Sequence, residues 1–198
     1  MKKHYAIFLL LLSIWSHAQI KGTIVDEQGK VVPRGQLGEL CVRGYSVMLG
    51  YWEDHEKSQE VIDSARWMHT GDIAEMDEAG FVKIKGRIKD VVIRGGENLF
   101  PKEIEDFLYT HPDVSDVQVI GLPDARYGEE LCACIILHEH HEITEESIRQ
   151  YCAEHISHNK VPRYVRFFNE FPMTASGKAQ KFKLQEFMRN ELDLKEIA

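Results

Sequence analysis

The spacing of apolar and polar positions changes period several times along this chain of 198 residues. From Lys21 to Pro33, two short apolar runs flank Gly29, which predicts strand, turn, strand. In Gly38–Gly44, Leu40 and Val42 alternate with Cys41 and Arg43, the period of a further strand. Tyr45–Trp52 is apolar and aromatic with a glycine inside it, and Glu53–Ser64 carries Val61 and Ile62 among many charges, which predicts a short surface helix. Trp67–Ile84 reads as strand and turn, with Asp77-Glu78-Ala79-Gly80 as the hairpin turn.

The second half switches between the two periods. Lys89–Ile93 predicts a short strand. Pro101 stands at a first helical position, with Glu103 and Glu105 in the first turns and Ile104, Phe107 and Leu108 at helical spacing. Val114–Leu122 and Leu131–His138 predict two strands joined by a loop holding Pro123-Asp124. Thr144 is placed to cap a helix whose apolar side is Ile148, Tyr151, Cys152 and Ile156. Tyr164–Phe168 predicts a strand, Ser176-Gly177 a turn and Phe182–Met188 a terminal helix. Helices alternating with strands give this half an α/β or α+β character. There are no internal repeats and no low-complexity tract.

The first eighteen residues follow neither pattern. Lys2 and Lys3 open the chain, Ala6–Trp15 is almost wholly apolar, and Ser16-His17-Ala18 ends in a small-x-small step before Gln19. That is the layout of a secretory leader, and the run is shorter than the ~20 residues a membrane-spanning helix needs. A helix packed on the following domain is the alternative.

Composition narrows the picture. The length suits one ordinary domain or two small ones. A hydrophobic share of 43% with 28% charged residues is that of a globular chain. The formal charge of −8 argues against nucleic acid as a partner. None of the four cysteines stands in a C-x-x-C pair, and Cys132 and Cys134 fall on one side of a strand, so buried thiols are expected rather than disulfides or metal ligands. His138-Glu139-His140-His141-Glu142 imitates a metal cluster, but it lies where a polar turn belongs and reads as a solvated loop. No metal site is predicted.

Four segments carry candidate chemistry. In Trp67-Met68-His69-Thr70-Gly71-Asp72, an aspartate on a tight Thr-Gly turn can accept two hydrogen bonds, as a ribose diol offers, or bond its own backbone. In Gly86-Arg87-Ile88-Lys89-Asp90, Arg87 can reach a nucleotide as a fixed fork of donors, or pair with Asp90 at the surface. In Arg94-Gly95-Gly96-Glu97-Asn98, two glycines allow unusual backbone angles or close passage of a ligand, or form a plain loop into a helix. In Pro172-Met173-Thr174-Ala175-Ser176-Gly177-Lys178, a lysine after a Ser-Gly turn is held out where it can meet an anionic transition state, or solvent. The last segment is not a P-loop, because it lacks that motif's glycine spacing and terminal Ser/Thr.

Taken in order, these segments resemble the acyl-CoA synthetase branch of the AMP-forming adenylate superfamily. Pro33-Arg34-Gly35, Gly38-Glu39-Leu40-Cys41-Val42-Arg43-Gly44, Met48-Leu49-Gly50-Tyr51-Trp52, His69-Thr70-Gly71-Asp72, the run Gly86–Glu105 and Ser176-Gly177-Lys178 carry the likeness. It extends from about Gly22 to about Leu192, and the wording at Glu129-Glu130-Leu131-Cys132-Ala133-Cys134 is similar to medium-chain fatty acyl-CoA synthetases. The resemblance implies an α+β architecture: residues 1–18 a leader, residues 19–86 the β-rich tail of a large AMP-binding domain, and residues 87–198 the small C-terminal lid. It implies a carboxylate substrate such as a fatty acid, with ATP, coenzyme A and magnesium. Asp72 and Arg87 would hold the ribose, Lys89 would be the hinge, Lys178 would stabilise the first transition state, and Gly95, Gly96 and Glu97 would line the thiol's path. The family's Ser/Thr/Gly-rich phosphate loop and acyl pocket are missing from these residues, so the chain is expected to be inactive alone, to bind none of these molecules firmly, and to come from a truncated or recombined gene. A separately encoded large domain is an expected partner. The leader favours export, the family's chemistry the cytosol. The alternative is a non-catalytic exported or membrane-associated binding module that keeps the lid fold; the stretch Gly22–Gly29 also resembles the start of small β-sandwich domains on exported bacterial proteins.

Overall fold

The computed structural model describes residues 20–194, so the leader-like residues 1–18 lie outside the described part. The chain divides into two compact units between Ile84 and Lys85.

The first unit is built on an antiparallel sheet in the order β1-β2-β3-β4, from β1 (Lys21–Val25), β2 (Gly38–Arg43), β3 (Met68–Met76) and β4 (Val82–Arg87), whose last three residues fall in the second unit. The second strand expected before Pro33 shrinks to a single bridge, Val31 against Val25. Pro33 lacks the N–H that would continue the ladder. Asp26 shapes the intervening turn by accepting from the Gln28 and Lys30 N–H groups at 3.0 and 2.8 Å. The Asp77–Gly80 hairpin forms as predicted, closed by the Phe81 N–H on the Asp77 carboxylate at 2.8 Å. Helix α1 (His55–Val61) buries no residue and is capped by the Asp54 side chain on the Lys57 N–H. It is the expected surface helix. The core holds Ile24, Val25, Cys41, Ile62 and Ala74.

At Gly38, β2 runs so close to β1 that an added Cβ would lie 2.3 Å from the Val25 carbonyl oxygen. Gly38→Ala is therefore expected to destabilise this unit by about 1–3 kcal/mol, read as a lower thermal midpoint.

In the second unit, β5 (Val92–Arg94), β6 (Glu97–Leu99), β7 (Val114–Asp124) and β8 (Gly128–Leu137) form a sheet in the order β6-β5-β8-β7. Strand β9 (Tyr164–Phe167) pairs with β8 in parallel, and every other pairing is antiparallel. Strand β8 is central and apolar on both faces. Leu131, Ala133 and Ile135 pack with Ile104 and Leu108 of helix α2 (Pro101–Leu108) and with Ile148 and Cys152 of helix α3 (Glu145–His155). Cys132 and Cys134 point the other way, onto Leu184 and Met188 of helix α4 (Lys181–Glu191) and onto Ile120, Leu122 and Phe171. The two-residue spacing of Cys132 and Cys134 thus does place them on one face, and all four cysteines are buried free thiols. Thr144 caps α3 through the Ser147 N–H at 3.1 Å, as its sequence predicts.

Three local expectations change. Lys89 is not in a strand: Ile88–Asp90 is a single 3-10 turn, closed by the Val91 N–H on the Ile88 carbonyl, and β5 begins at Val92. Gly95-Gly96 is not a loop into a helix. With φ of 59° and 86°, the two glycines are the turn of the β5–β6 hairpin, Arg94 opposite Glu97. Two positive φ values in succession are the twist-matched hairpin turn that glycine enters freely. Pro123 and Asp124 belong to β7, the sheet's edge strand, where a missing proline N–H is tolerated.

Candidate functional site

In the first unit, Asp72 lies inside β3, not on a free turn. Glu39 pairs with Ile73 and Cys41 with His69, so Thr70, Gly71 and Asp72 together oppose Leu40. The bulge turns at Gly71, whose φ is 71°. Bulges of this kind re-aim side chains next to sites. Thr70 donates its hydroxyl to the Leu40 carbonyl (2.7 Å) and accepts the Asp72 N–H (3.1 Å). Glu39 accepts the Gly71 N–H (2.9 Å) with one oxygen and meets His69 Nδ1 (2.7 Å) with the other. The half-buried Asp72 carboxylate is thus carried on a backbone fixed from β2. The Cys41 thiol, opposite His69, is pushed up to about 11 by burial and by the Glu39 and Asp63 carboxylates.

Arg87 ends β4 in extended conformation and leads into the 3-10 turn that holds Lys89. Both side chains are exposed.

In the second unit, the Gly95-Gly96-Glu97 tip is exposed but its root is anchored several times. Arg94 makes a two-pronged ion pair with Glu130, Nε to Oε2 at 2.7 Å and Nη2 to Oε1 at 3.0 Å. Glu130 is 2% exposed. The carboxylate's hydrogen bond raises the Arg94 guanidinium above its usual value. The same guanidinium lies 4.6 Å over the Tyr127 ring, and the Tyr127 carbonyl accepts the Gly95 N–H at 2.8 Å. Glu129 accepts the Ile93 N–H at 2.6 Å, and Glu97 accepts from Asn159 Nδ2 at 2.6 Å.

Asp124 organises the turn that presents Tyr127. It accepts the Arg126 and Tyr127 N–H groups, both at 2.9 Å, and pairs with Arg163 at 2.8 Å. The Tyr127 N–H above all, then that of Arg126 and the two guanidinium groups of Arg163 and Arg94, hold its carboxyl below the usual range against the opposing effect of burial. A folded value below the unfolded ~3.9 contributes stability above that pH. The contribution is lost as pH falls through the depressed value. Asp124→Asn is expected to flatten the acid-unfolding curve below about pH 4, as read by circular dichroism.

Lys178 closes the loop Thr174–Lys178. The Thr174 N–H donates to the Lys178 carbonyl (2.8 Å), and Thr174 Oγ1 accepts the Lys178 N–H (3.0 Å). Gly177 supplies the positive φ of 77° and the bridge Met173–Ala179 shuts the base. The ammonium is exposed on a constrained backbone.

The structure thus puts Gly95, Gly96 and Glu97 on one hairpin and Lys178 on a separate loop of the same unit, with Asp72 in the other unit. Sequence reasoning missed the residues that hold the hairpin: Asp124, Tyr127, Glu130 and Asn159. Their one advance signal was Glu130, a carboxylate directly preceding an apolar strand run. Among the described residues, one group of three potential metal ligands converges, Glu39, Cys41 and His69. Its nitrogen and sulfur donors do not suit magnesium, which takes oxygen ligands.

Residues 103–178 match the family described as AMP-binding enzyme C-terminal domain. The chain is 53% identical over 179 residues to the mitochondrial medium-chain acyl-CoA ligase ACSF2 of Bos taurus, covering 90% of this chain and 29% of the relative. It is 52% identical to the putative acyl-CoA synthetase YngI of Bacillus subtilis, covering 86% of this chain and 31% of that protein. ATP-bound MatB from Rhodopseudomonas palustris superposes with a TM-score of 0.80 at 35% identity, over 87% of this chain and 34% of that one. The anthranilate CoA ligase AuaEII, in complex with anthranoyl-AMP, gives the same TM-score and identity over 88% and 34%. The chain therefore carries the C-terminal domain of the AMP-binding, adenylate-forming enzymes. Its relatives include medium-chain acyl-CoA ligases, and it spans somewhat under a third of the length of the two curated relatives compared. Among the described residues no helix is long and apolar enough to cross a membrane.

Proposed function

We propose that these residues are the C-terminal, lid-bearing part of a fatty acyl-CoA ligase and that, as a separate 198-residue chain, they do not catalyse the reaction. The observation that carries this reading is the pairing, in one unit, of an exposed lysine on a constrained loop with a rooted Gly-Gly hairpin. The reaction joins a carboxylate to the α-phosphate of ATP with release of pyrophosphate, and the coenzyme A thiol then displaces AMP to leave a thioester. Lys178 places a positive charge against the anionic transition state of the first step. Asp72 and Arg87 hold the ribose hydroxyls. Lys89, in its 3-10 turn, is the pivot between steps. The Gly95-Gly96-Glu97 tip, with no side chain at its turn, lines the path of the thiol in the second. Magnesium would come with the ATP phosphates.

The 198 residues hold no Ser/Thr/Gly-rich phosphate loop. The chain alone is therefore expected to show no fatty-acid-dependent exchange of pyrophosphate into ATP, measured with radiolabelled pyrophosphate. Exchange that scales with chain concentration would refute the proposal. Thioester formation on mixing with a separately produced large domain would extend it to a two-chain enzyme.

A second reading rests on residues 1–18: an exported binding module that keeps the lid fold. A mature N-terminus at Gln19, sequenced from protein recovered outside the cytosol, favours that reading. An uncleaved N-terminus in the cytosolic fraction favours the ligase.

A further inference from the structure

The first unit contains a convergence of side chains that the ligase chemistry does not use. Cys41 and His69 are directly opposed on β2 and β3, and Glu39 is two residues before Cys41. His69 Nδ1 lies 2.7 Å from Glu39 Oε2 and 3.4 Å from Cys41 Sγ, and the three ligand atoms fall within 4.8 Å of one another. Three different donor atoms, a ring nitrogen, a sulfur and a carboxylate oxygen, thus meet at one point of the β2–β3 pair. With Nδ1 protonated, the ring donates to Glu39, and the Cys41 sulfur is left with at most a weak shared contact. A single cation at the centre would engage the nitrogen, the sulfur and the oxygen more strongly than the weak sulfur contact does.

The distances are close to those a tetrahedral ion imposes. Bonds of ~2.0–2.1 Å to nitrogen and oxygen and ~2.3 Å to sulfur separate the ligand atoms by roughly 3.3–3.6 Å. The Cys41–His69 separation of 3.4 Å already lies in that range, and the Glu39–His69 contact has to open by about half an ångström. Glu39 keeps its other oxygen on the Gly71 N–H, an outer hydrogen bond of the kind that orients a ligating carboxylate. A cavity of about 270 Å³, lined by Cys41, His69, Asp63, Trp67 and Thr23 among others, adjoins the cluster and leaves room for water at a fourth position. Asp63 adds negative charge beside it.

We propose that Glu39, Cys41 and His69, carried on the β2–β3 pair beside this cavity, form a binding site for a zinc-class divalent ion. Mixed nitrogen, sulfur and oxygen donors select zinc or its cobalt surrogate over calcium and magnesium. Because the ion would tie Glu39 to His69 on either side of the Thr70–Asp72 bulge, its occupancy would stiffen the backbone that carries Asp72.

The test is titration of the metal-free chain with cobalt(II), followed by displacement with zinc. The expected result is one equivalent with a near-ultraviolet thiolate-to-cobalt band and the visible bands of tetrahedral cobalt, both removed by zinc. Cys41→Ser is expected to abolish the thiolate band. His69→Gln, at a half-buried position, and Glu39→Gln, which keeps the Gly71 bond, are each expected to weaken binding by ~100-fold; Cys152→Ser is expected to leave the spectrum unchanged. Circular dichroism establishes that each variant is folded, and if Cys41→Ser is not, the His69 and Glu39 variants decide. Absence of a thiolate band in the parent chain overturns the proposal. So does binding that persists in the folded His69 and Glu39 variants, which would place the ion on surface histidines such as His138 and His141.

Discussion

Replacing Arg94 by alanine is expected to destabilise the second unit by about 3–5 kcal/mol, because it strands the Glu130 carboxylate without its partner. Glu130 is 2% exposed and receives two hydrogen bonds from Arg94. The nearest other cation, Arg163 Nη1, stands 3.9 Å away and is already engaged with Asp124. Deleting the carboxylate together with the cation should be far milder, since the penalty comes from an unpaired buried charge and not from loss of the pair. The double variant Arg94→Met with Glu130→Leu is therefore expected to recover most of the lost stability. Urea unfolding of the single and double variants measures both. A single variant within 1 kcal/mol of the parent would show that solvent reaches Glu130. The same pair also fixes the root of the hairpin, so even a folded Arg94→Ala chain should show faster amide exchange at Gly95 and Gly96.

The second large effect falls on Lys178. In an assembled enzyme containing this chain, Lys178→Ala is expected to lower acyl-adenylate formation by about 10²–10³-fold, the loss typical when a preorganised charge or donor is removed from a transition state. Thioester formation from preformed acyl-adenylate should change little, because that step is assigned to the Gly95-Gly96-Glu97 side of the unit. The pyrophosphate-exchange assay reads the first half and coenzyme A consumption from synthetic acyl-adenylate reads the second. Equal losses in both halves would mean that Lys178 supports the fold of the loop. Thr174 argues against that, since it is the threonine hydroxyl and the backbone of Lys178, not the ammonium, that shape the turn.

Much of this was legible in the order of residues. Apolar runs bounded by turn residues located β2, β7, β8 and β9, the charge-rich run around Val61 marked the surface helix α1, and the Thr144 cap and the Pro101 start marked α3 and α2. The acyl-CoA ligase likeness was legible as well, because its segments are short runs whose spacing survives in one dimension. Four features were not. Lys89–Ile93 has strand composition, yet tight closure at Ile88–Asp90 leaves only its end in the sheet. The Thr-Gly-Asp segment has turn composition, but pairing of β3 with β2 on both sides converts it to a bulge. The support behind the Gly95-Gly96 tip comes from residues about 30 to 60 positions downstream, and no local pattern announces such partners. The Glu39, Cys41 and His69 convergence was hidden for the same reason: 28 residues separate Cys41 from His69, a distance erased only by strand pairing.

Lid function in an acyl-CoA ligase can be measured in a hybrid enzyme. The most direct measurement replaces the matching C-terminal part of the bovine medium-chain acyl-CoA ligase, 29% of that protein, with this chain, and follows acyl-CoA formation from a medium-chain fatty acid, ATP and coenzyme A. The chimera is expected to form acyl-CoA, and Lys178→Ala to slow it by about 10²–10³-fold at the adenylation step. A folded chimera that binds ATP but forms neither acyl-adenylate nor acyl-CoA would contradict it.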